Sequence, residues 1–237
     1  MAAAKAETTA KTTAKTAAAD AAPATGAARQ RVSQTERRAR SERRIIQATL
    51  QAIAEKGVSG ASLAEIGERA GYSRGLPAHL FGNKDRLLAE CLNQLMLDLW
   101  LRNLPEVPAR GAFTALAAAI RQWLHDLVSH PELSRAHFLL LQEANVAEAA
   151  QTYPELVPRI RDFVAGSEQR FRGYIEAGQK AGEIDATLDA EFEATLIHTT
   201  LRGVSLRWLI GPGSIDIARF ADRFLDRLER QMLVRAV

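Results

Sequence analysis

Apolar residues in this chain recur at intervals of three and four from about residue 45 to the end, and no turn-rich strand periodicity interrupts them. Such spacing belongs to helices that bury one face. The densest signals lie in residues 62–88. Leu63, Ile66 and Ala70 form one stripe over about two helical turns. Ser62, with Glu65 three residues later, has the form of a capping box. Gly71 stands where that helix must close through a left-handed residue. Ser73 reads as the N-cap of a second short helix carrying Leu76 and Leu80 inward. Two short helices joined by a glycine-bearing turn make a helix-turn-helix unit. Gly67 deletes a side chain in mid-helix, which costs helix stability, so a close crossing by another element is expected there.

A preceding helix is expected over about 36–55, with Ile46, Leu50 and Ile53 inward and Gly57 and Gly60 ending it. A following one starts at Asn83 as N-cap. Its broad apolar face (Leu87, Leu88, Cys91, Leu92, Leu95, Leu99) runs on to about 104, before Pro105 and Pro108. Further helices are expected at about 111–129, 131–150, 155–178, 189–210 and 215–235, with prolines near their starts or glycines between them. The sequence therefore predicts an all-α fold of about nine helices. A three-helix unit occupies 31–82 and a larger helical part 83–237, with the junction along the helix that starts near residue 83.

Residues 1–30 are Ala, Thr and Lys with almost no large apolar side chain, which predicts a disordered tail. No apolar run approaches the length of a membrane span, and the N-terminus lacks a secretory h-region. The single cysteine, Cys91, excludes an intrachain disulfide framework. A cytoplasmic protein without a membrane partner is the expectation. Charge is uneven along the chain. Residues 29–90 hold twelve Lys/Arg against seven Asp/Glu, whereas residues 91–237 hold sixteen against nineteen. The positive charge thus sits with the helix-turn-helix, where a phosphate backbone would need it. Arg43 and Arg44 belong to a basic stretch, 29–44, that reads either as a solvated helix face or as phosphate-contacting.

Catalytic patterns are missing. His79, His125, His130, His137 and His198 form no HExxH or Cys/His metal spacing, and there is neither a glycine-rich phosphate loop nor a GxSxG elbow. No enzyme activity, metal or cofactor is expected.

RRIIQAT at 43–49, Gly57, SLAEIGERAGYSRG at 62–75, Phe81 and GNKDRLL at 82–88 together resemble the N-terminal domain of TetR-type bacterial transcriptional regulators. The stretch GEIDATLDAEFEATLIHTTLRGVSLRWLIGPG at 182–213 resembles the C-terminal domain of the branch that includes choline-responsive regulators. The resemblance implies a DNA-binding regulator whose recognition helix, from Ser73 to Leu80, lies in the major groove of a double-stranded operator. Ser73, Arg74, Gly75 and His79 are then the residues facing DNA. Arg74 can read guanine with its two-pronged guanidinium or grip phosphate. Ser62 offers a hydroxyl and a helix N-terminus to phosphate, and Lys84 matches a family lysine that contacts the backbone. Pro77 and Ala78 depart from the commoner family residues, and with Ser73 as N-cap Pro77 would distort the start of its helix.

The resemblance also implies a homodimer built on the last two helices. Leu206 and Leu209, with Phe220, Phe224 and Leu228, are candidates for that interface or for the core of a single chain. Two recognition helices spaced by one DNA turn would read a palindrome. Trp123, Phe138 and Gln142 are the candidates for a small-molecule effector pocket, an aromatic wall with a polar group. Repression relieved by an effector is the family's usual behaviour, and activation stays open.

Overall fold

The computed structural model describes residues 33–95, 105–145 and 148–234, and among these it contains ten helices and no β-strand. They are α1 (Gln34–Gly60), α2 (Leu63–Arg69), α3 (Leu76–Phe81), α4 (Lys84–Leu95), α5 (Ala112–Ser129), α6 (Pro131–Gln142), α7 (Ala149–Thr152), α8 (Leu156–Lys180), α9 (Ala190–Ile210) and α10 (Ile217–Met232). The all-α expectation holds. The count exceeds nine because the helix expected over 131–150 is divided: α6 ends at Gln142, a 3-10 turn follows at Glu143–Asn145, and α7 is a separate short turn. The tail over 1–30 and the expected continuation of α4 to residue 104 lie outside the described residues.

α1 begins earlier than expected, through a capping box of its own. Ser33 Oγ accepts the Glu36 N–H at 3.1 Å and a Glu36 carboxylate oxygen accepts the Ser33 N–H at 2.7 Å, which satisfies two of the free donors of a helix start. Gly57, at φ 76° and ψ 173°, breaks the helical path near its end. At α2 only half of the expected box forms. Ser62 Oγ accepts the Glu65 N–H at 3.3 Å, while the Glu65 carboxylate reaches Lys56 at 2.5 Å instead.

α2 closes as expected at Gly71, φ 78°. The Tyr72 N–H donates to the Gly67 carbonyl at 2.9 Å and the Gly71 N–H to that of Glu68 at 3.0 Å, the paired bonds of a Schellman closure. The chain then returns directly over Gly67. A Cβ there would lie 2.5 Å from the Ser73 carbonyl oxygen and 3.2 Å from Pro77 Cδ, so the expected close crossing is made by the α2–α3 connection.

One expectation about α3 is corrected. Its N-cap is Gly75, not Ser73, and the helix starts at Leu76 with Pro77 in its first turn. Proline's missing N–H is one that no intrahelical partner would have used, so the distortion expected from a Ser73 start does not arise.

Two apolar cores run through the described residues. The first joins Ile45, Leu50 and Ile53 of α1 with Ile66 of α2, Leu87, Leu88 and Leu92 of α4, Leu140 of α6 and Leu156 of α8. The second joins Leu116, Ile120 and Leu124 of α5, Phe171 and Ile175 of α8, Leu201 of α9 and Leu225 of α10. Helices α4 and α6 and the start of α8 therefore share a core with the helix-turn-helix, and α5, α9, α10 and the later part of α8 carry the second core.

Candidate nucleic-acid interface and internal cavity

Around the helix-turn-helix, Arg43, Arg44, Ser62, Ser73, Arg74, Gly75, Ala78 and His79 are all exposed. Hydrogen bonding with Ser41 and then Arg44 draws the Tyr72 phenol below its ordinary pKa. This contact brings Arg44 of α1 beside the α2–α3 connection. Arg74 Nε lies 2.5 Å from a Glu68 carboxylate oxygen. A guanidinium held by its own chain's carboxylate must exchange that partner before it meets a base or a phosphate.

Lys84 is placed differently from an exposed phosphate-binding lysine. Its ammonium donates to the Val58 carbonyl at the end of α1 at 2.6 Å. Burial pulls its pKa below the usual lysine value, against the opposing charge of Glu143. An ammonium carries three donors, so two remain for another acceptor.

The neighbouring residue reaches the other way. Asp85 is buried, and its two carboxylate oxygens accept the N–H groups of Glu155 and Leu156, at 2.8 and 3.0 Å, at the start of α8. A carboxylate on a helix N-terminus satisfies orphan donors and meets the positive end of the helix dipole. Glu143, whose carboxyl burial holds above its ordinary pKa against the opposing pull of Lys84 and a Tyr153 hydrogen bond, closes this cluster at the end of α6. The sequence gives no sign of these contacts, because the partners are 26 and about 70 residues apart.

Between α5, α6 and α9 lies a cavity of about 50 Å³. Trp123 and Phe138 line it, together with Asp126, His137, Arg202 and Ser205. Trp123 is fixed in place: its indole N–H donates to Ser205 Oγ at 3.0 Å, and its ring meets the His198 ring edge-on at 5.7 Å. Gln122 donates to Asp126 at 2.9 Å, and burial raises the Asp126 pKa. His137 packs edge-on against Phe163 at 4.9 Å. Burial pushes its pKa down to about 4, so the imidazole is neutral near pH 7.

Gln142 does not line this cavity. It stands at the last position of α6, and its side-chain oxygen accepts from Asn145 at 3.1 Å. The lining face of α6 is Ser134, His137, Phe138 and Leu141. Leu209, expected at a dimer interface, also lines the cavity.

The exposed side of α9 carries Phe192, Leu196, Leu206 and Ile210, the last 78% exposed. Phe220 and Phe224 on α10 are half-buried and stack at 5.6 Å. Leu228 is corrected: it is 2% exposed, because α10 turns Leu225, Leu228 and Met232 into its own chain's core.

Residues 114–232 match the description of the BetI-type transcriptional repressor, C-terminal, and residues 45–91 that of bacterial regulatory proteins of the tetR family. The regulator BetI of Burkholderia mallei is 30% identical over 161 residues, which is 59% of this chain and 82% of the relative. The chain belongs to the TetR family. A second relative, BetI of Burkholderia thailandensis, is 45% identical over 56 residues, only 24% of this chain and 29% of that protein.

Three solved structures share the fold of this TetR-family chain. A TetR-family regulator from Rhodococcus is 23% identical with a TM-score of 0.64, covering 82% of this chain and 99% of its own. FadR of Bacillus subtilis in complex with stearoyl-CoA is 22% identical with a TM-score of 0.62, covering 78% and 96%. A complex of SmeT with triclosan is 20% identical with a TM-score of 0.64, covering 83% and 93%. The family consists of transcriptional regulators, not enzymes. Among the described residues no helix is long and apolar enough to cross a membrane, and no group of three or more metal-ligating side chains occurs.

Proposed function

We propose that this TetR-family regulator is a cytoplasmic homodimeric repressor that binds a palindromic operator and is released by a small-molecule effector held in the cavity between α5, α6 and α9. Residues 31–82 form the reading head, and 83–237 the effector-binding and dimerising part.

The observation that carries this reading is the joint at the start of α4. α6 lines the cavity and leads into Glu143, which faces Lys84. Lys84 holds the end of α1 and Asp85 holds the start of α8. Any ligand that shifts α6 therefore changes the surroundings of a residue bonded to the reading head. Its effect on operator affinity is bounded by its differential affinity for the two arrangements. That FadR and SmeT are described with stearoyl-CoA and triclosan supports a ligand-holding role for the same fold.

Ser62, Ser73, Arg74, Gly75 and His79 present the reading surface, with Arg43, Arg44 and Lys84 toward phosphate. Footprinting of the purified protein on DNA upstream of its own and adjacent genes tests the assignment, and protection without dyad symmetry would sink the palindrome. Arg74→Ala is expected to relax specificity at one position per half-site, by about 1–3 kcal/mol. Lys84→Ala is expected to weaken binding to all sequences and flatten its salt dependence. Fluorescence anisotropy at several salt concentrations separates the two effects.

Phe192, Leu196, Leu206 and Ile210, spaced along one side of α9, supply the dimer face together with Phe220 and Phe224. Gly203 lies between them, exposed, and a methyl added there would meet nothing within 4 Å, which leaves room for a partner helix to approach. Leu206→Glu is expected to shift the protein toward monomer in sedimentation. Operator affinity should fall with it, because one recognition helix reads only half a site. A Leu206→Glu protein that remained dimeric would remove α9 from the interface.

A further inference from the structure

Arg74 and Glu68 are paired on the open edge of the helix-turn-helix. Arg74 Nε donates to a Glu68 carboxylate oxygen at 2.5 Å, and the two side chains are 74% and 52% exposed. The neighbouring carboxylates are turned elsewhere. Glu55 holds Arg69 at 2.6 Å and Glu65 holds Lys56 at 2.5 Å, pairs that tie α2 to α1. Glu68 stands one turn after exposed Ala64 on the outer side of α2 and bonds forward to the α2–α3 connection instead. A carboxylate on a surface that meets phosphate is repelled by it, so it needs a donor to offset that repulsion. In the free protein the donor is Arg74.

We propose that Glu68 is a second base reader, its carboxylate accepting the exocyclic N4 amino group of a cytosine at the base pair next to the guanine that Arg74 reads. This rests on the α2–α3 edge being the reading surface. An exposed ion pair is weakly held, so Arg74 can trade Glu68 for the O6 and N7 of guanine. The trade leaves Glu68 without a partner among the described residues, and the major groove supplies the replacement.

The choice of base follows from the acceptor. An ionised carboxylate accepts hydrogen bonds and donates none. In the major groove cytosine shows an amino donor, adenine a donor beside the N7 acceptor, and guanine and thymine acceptors with no donor. Cytosine is therefore the base whose edge offers Glu68 a donor with no acceptor beside it. Guanine or thymine at the same position is rejected, because acceptor then meets acceptor, and rejection contributes to specificity as much as attraction does. The choice of position follows from the pair. Side chains that touch in the free protein reach neighbouring base pairs, since successive bases stand about 3.4 Å apart along the helix axis.

The test is selection of bound duplexes from a randomised pool by the full chain, followed by anisotropy on single-base-pair changes of the selected site. The expected site has a guanine in each half with a cytosine one step away, and changing that cytosine to thymine should weaken binding roughly tenfold. Arg74→Ala should relax the guanine. Glu68→Ala should relax the cytosine to within about twofold among the four bases. Glu68→Gln should move the preference there to adenine, whose N6 and N7 match the amide. Both Glu68 variants lose one negative charge and should bind every duplex more tightly by the same factor, so base preference is the deciding readout. Variants that select the same bases as the unmodified chain, with or without that general gain, overturn the inference: Glu68 would then only hold Arg74 or repel phosphate. If Arg74→Ala relaxes a guanine while the Glu68 variants change no neighbouring preference, the reading surface stands and the inference alone falls. If no variant at either position alters base preference, the α2–α3 edge is not the reading surface and both fall.

Discussion

Gly67→Ala is expected to lower folding stability by about 1–3 kcal/mol, the usual cost of overpacking a tight contact, and to weaken operator binding more than any substitution of an exposed reading residue. The direction is opposite to helix propensity, which favours alanine over glycine in a helix interior by about 1 kcal/mol. The contact decides the sign. The added methyl would sit 2.5 Å from the Ser73 carbonyl oxygen, a backbone atom that cannot rotate away. The α2–α3 connection must therefore lift, and it carries Ser73, Arg74 and the start of α3 with it. Gly166→Ala on α8 is the control, since a methyl there meets nothing within 4 Å. That variant should gain roughly 0.5–1 kcal/mol with operator affinity unchanged. Urea denaturation of the two variants, with anisotropy on operator DNA, checks the pair. Equal behaviour of Gly67→Ala and Gly166→Ala would show that no close crossing exists at Gly67.

Asp85→Ala is expected to cost about 2–4 kcal/mol, because it leaves two N–H groups at the start of α8 without their acceptors. Leu156 is buried, so water cannot replace the carboxylate there. Asp85→Asn keeps one acceptor oxygen and should cost about half as much. The urea midpoint should fall with the slope unchanged, since the surface exposed on unfolding is the same. A midpoint equal to that of the unmodified chain would mean that the clasp between α4 and α8 contributes nothing.

The helix-turn-helix is legible in the sequence because its determinants are local. A cap, a left-handed glycine and a missing side chain each act within a few residues, and α2 forms, closes and is crossed where those signals lie. The start of α3 differs from expectation although its signal is present: Pro77 belongs in a first turn, and that places the cap at Gly75. The break after Gln142 has no signal of this kind, because no glycine or proline stands between Pro131 and Tyr153. Helical phase explains the rest. Ser134, His137, Phe138 and Leu141 share one face, so Phe138 identifies the right side of α6 while Gln142, one turn on, falls at its end. On α10 the stripe of Ile217, Ala221, Leu225 and Leu228 goes inward, and Phe220 and Phe224 lie beside it. An amphipathic pattern shows that a helix has an inner face, not which chain covers the outer one. The surroundings of Lys84, Asp85 and Arg202 are out of reach of the sequence, since each depends on residues brought together from distant parts of the chain.

Lys84 and Asp85 also prescribe how this regulator can be spliced. Adjacent in sequence, they serve opposite clients: the lysine anchors to a carbonyl of α1, the aspartate to the amides of α8. A chimera that grafts a foreign reading head onto this sensor has its seam at the peptide bond between them. A seam one residue later discards the native clasp on α8, and one residue earlier separates Lys84 from the native α1 end that it holds.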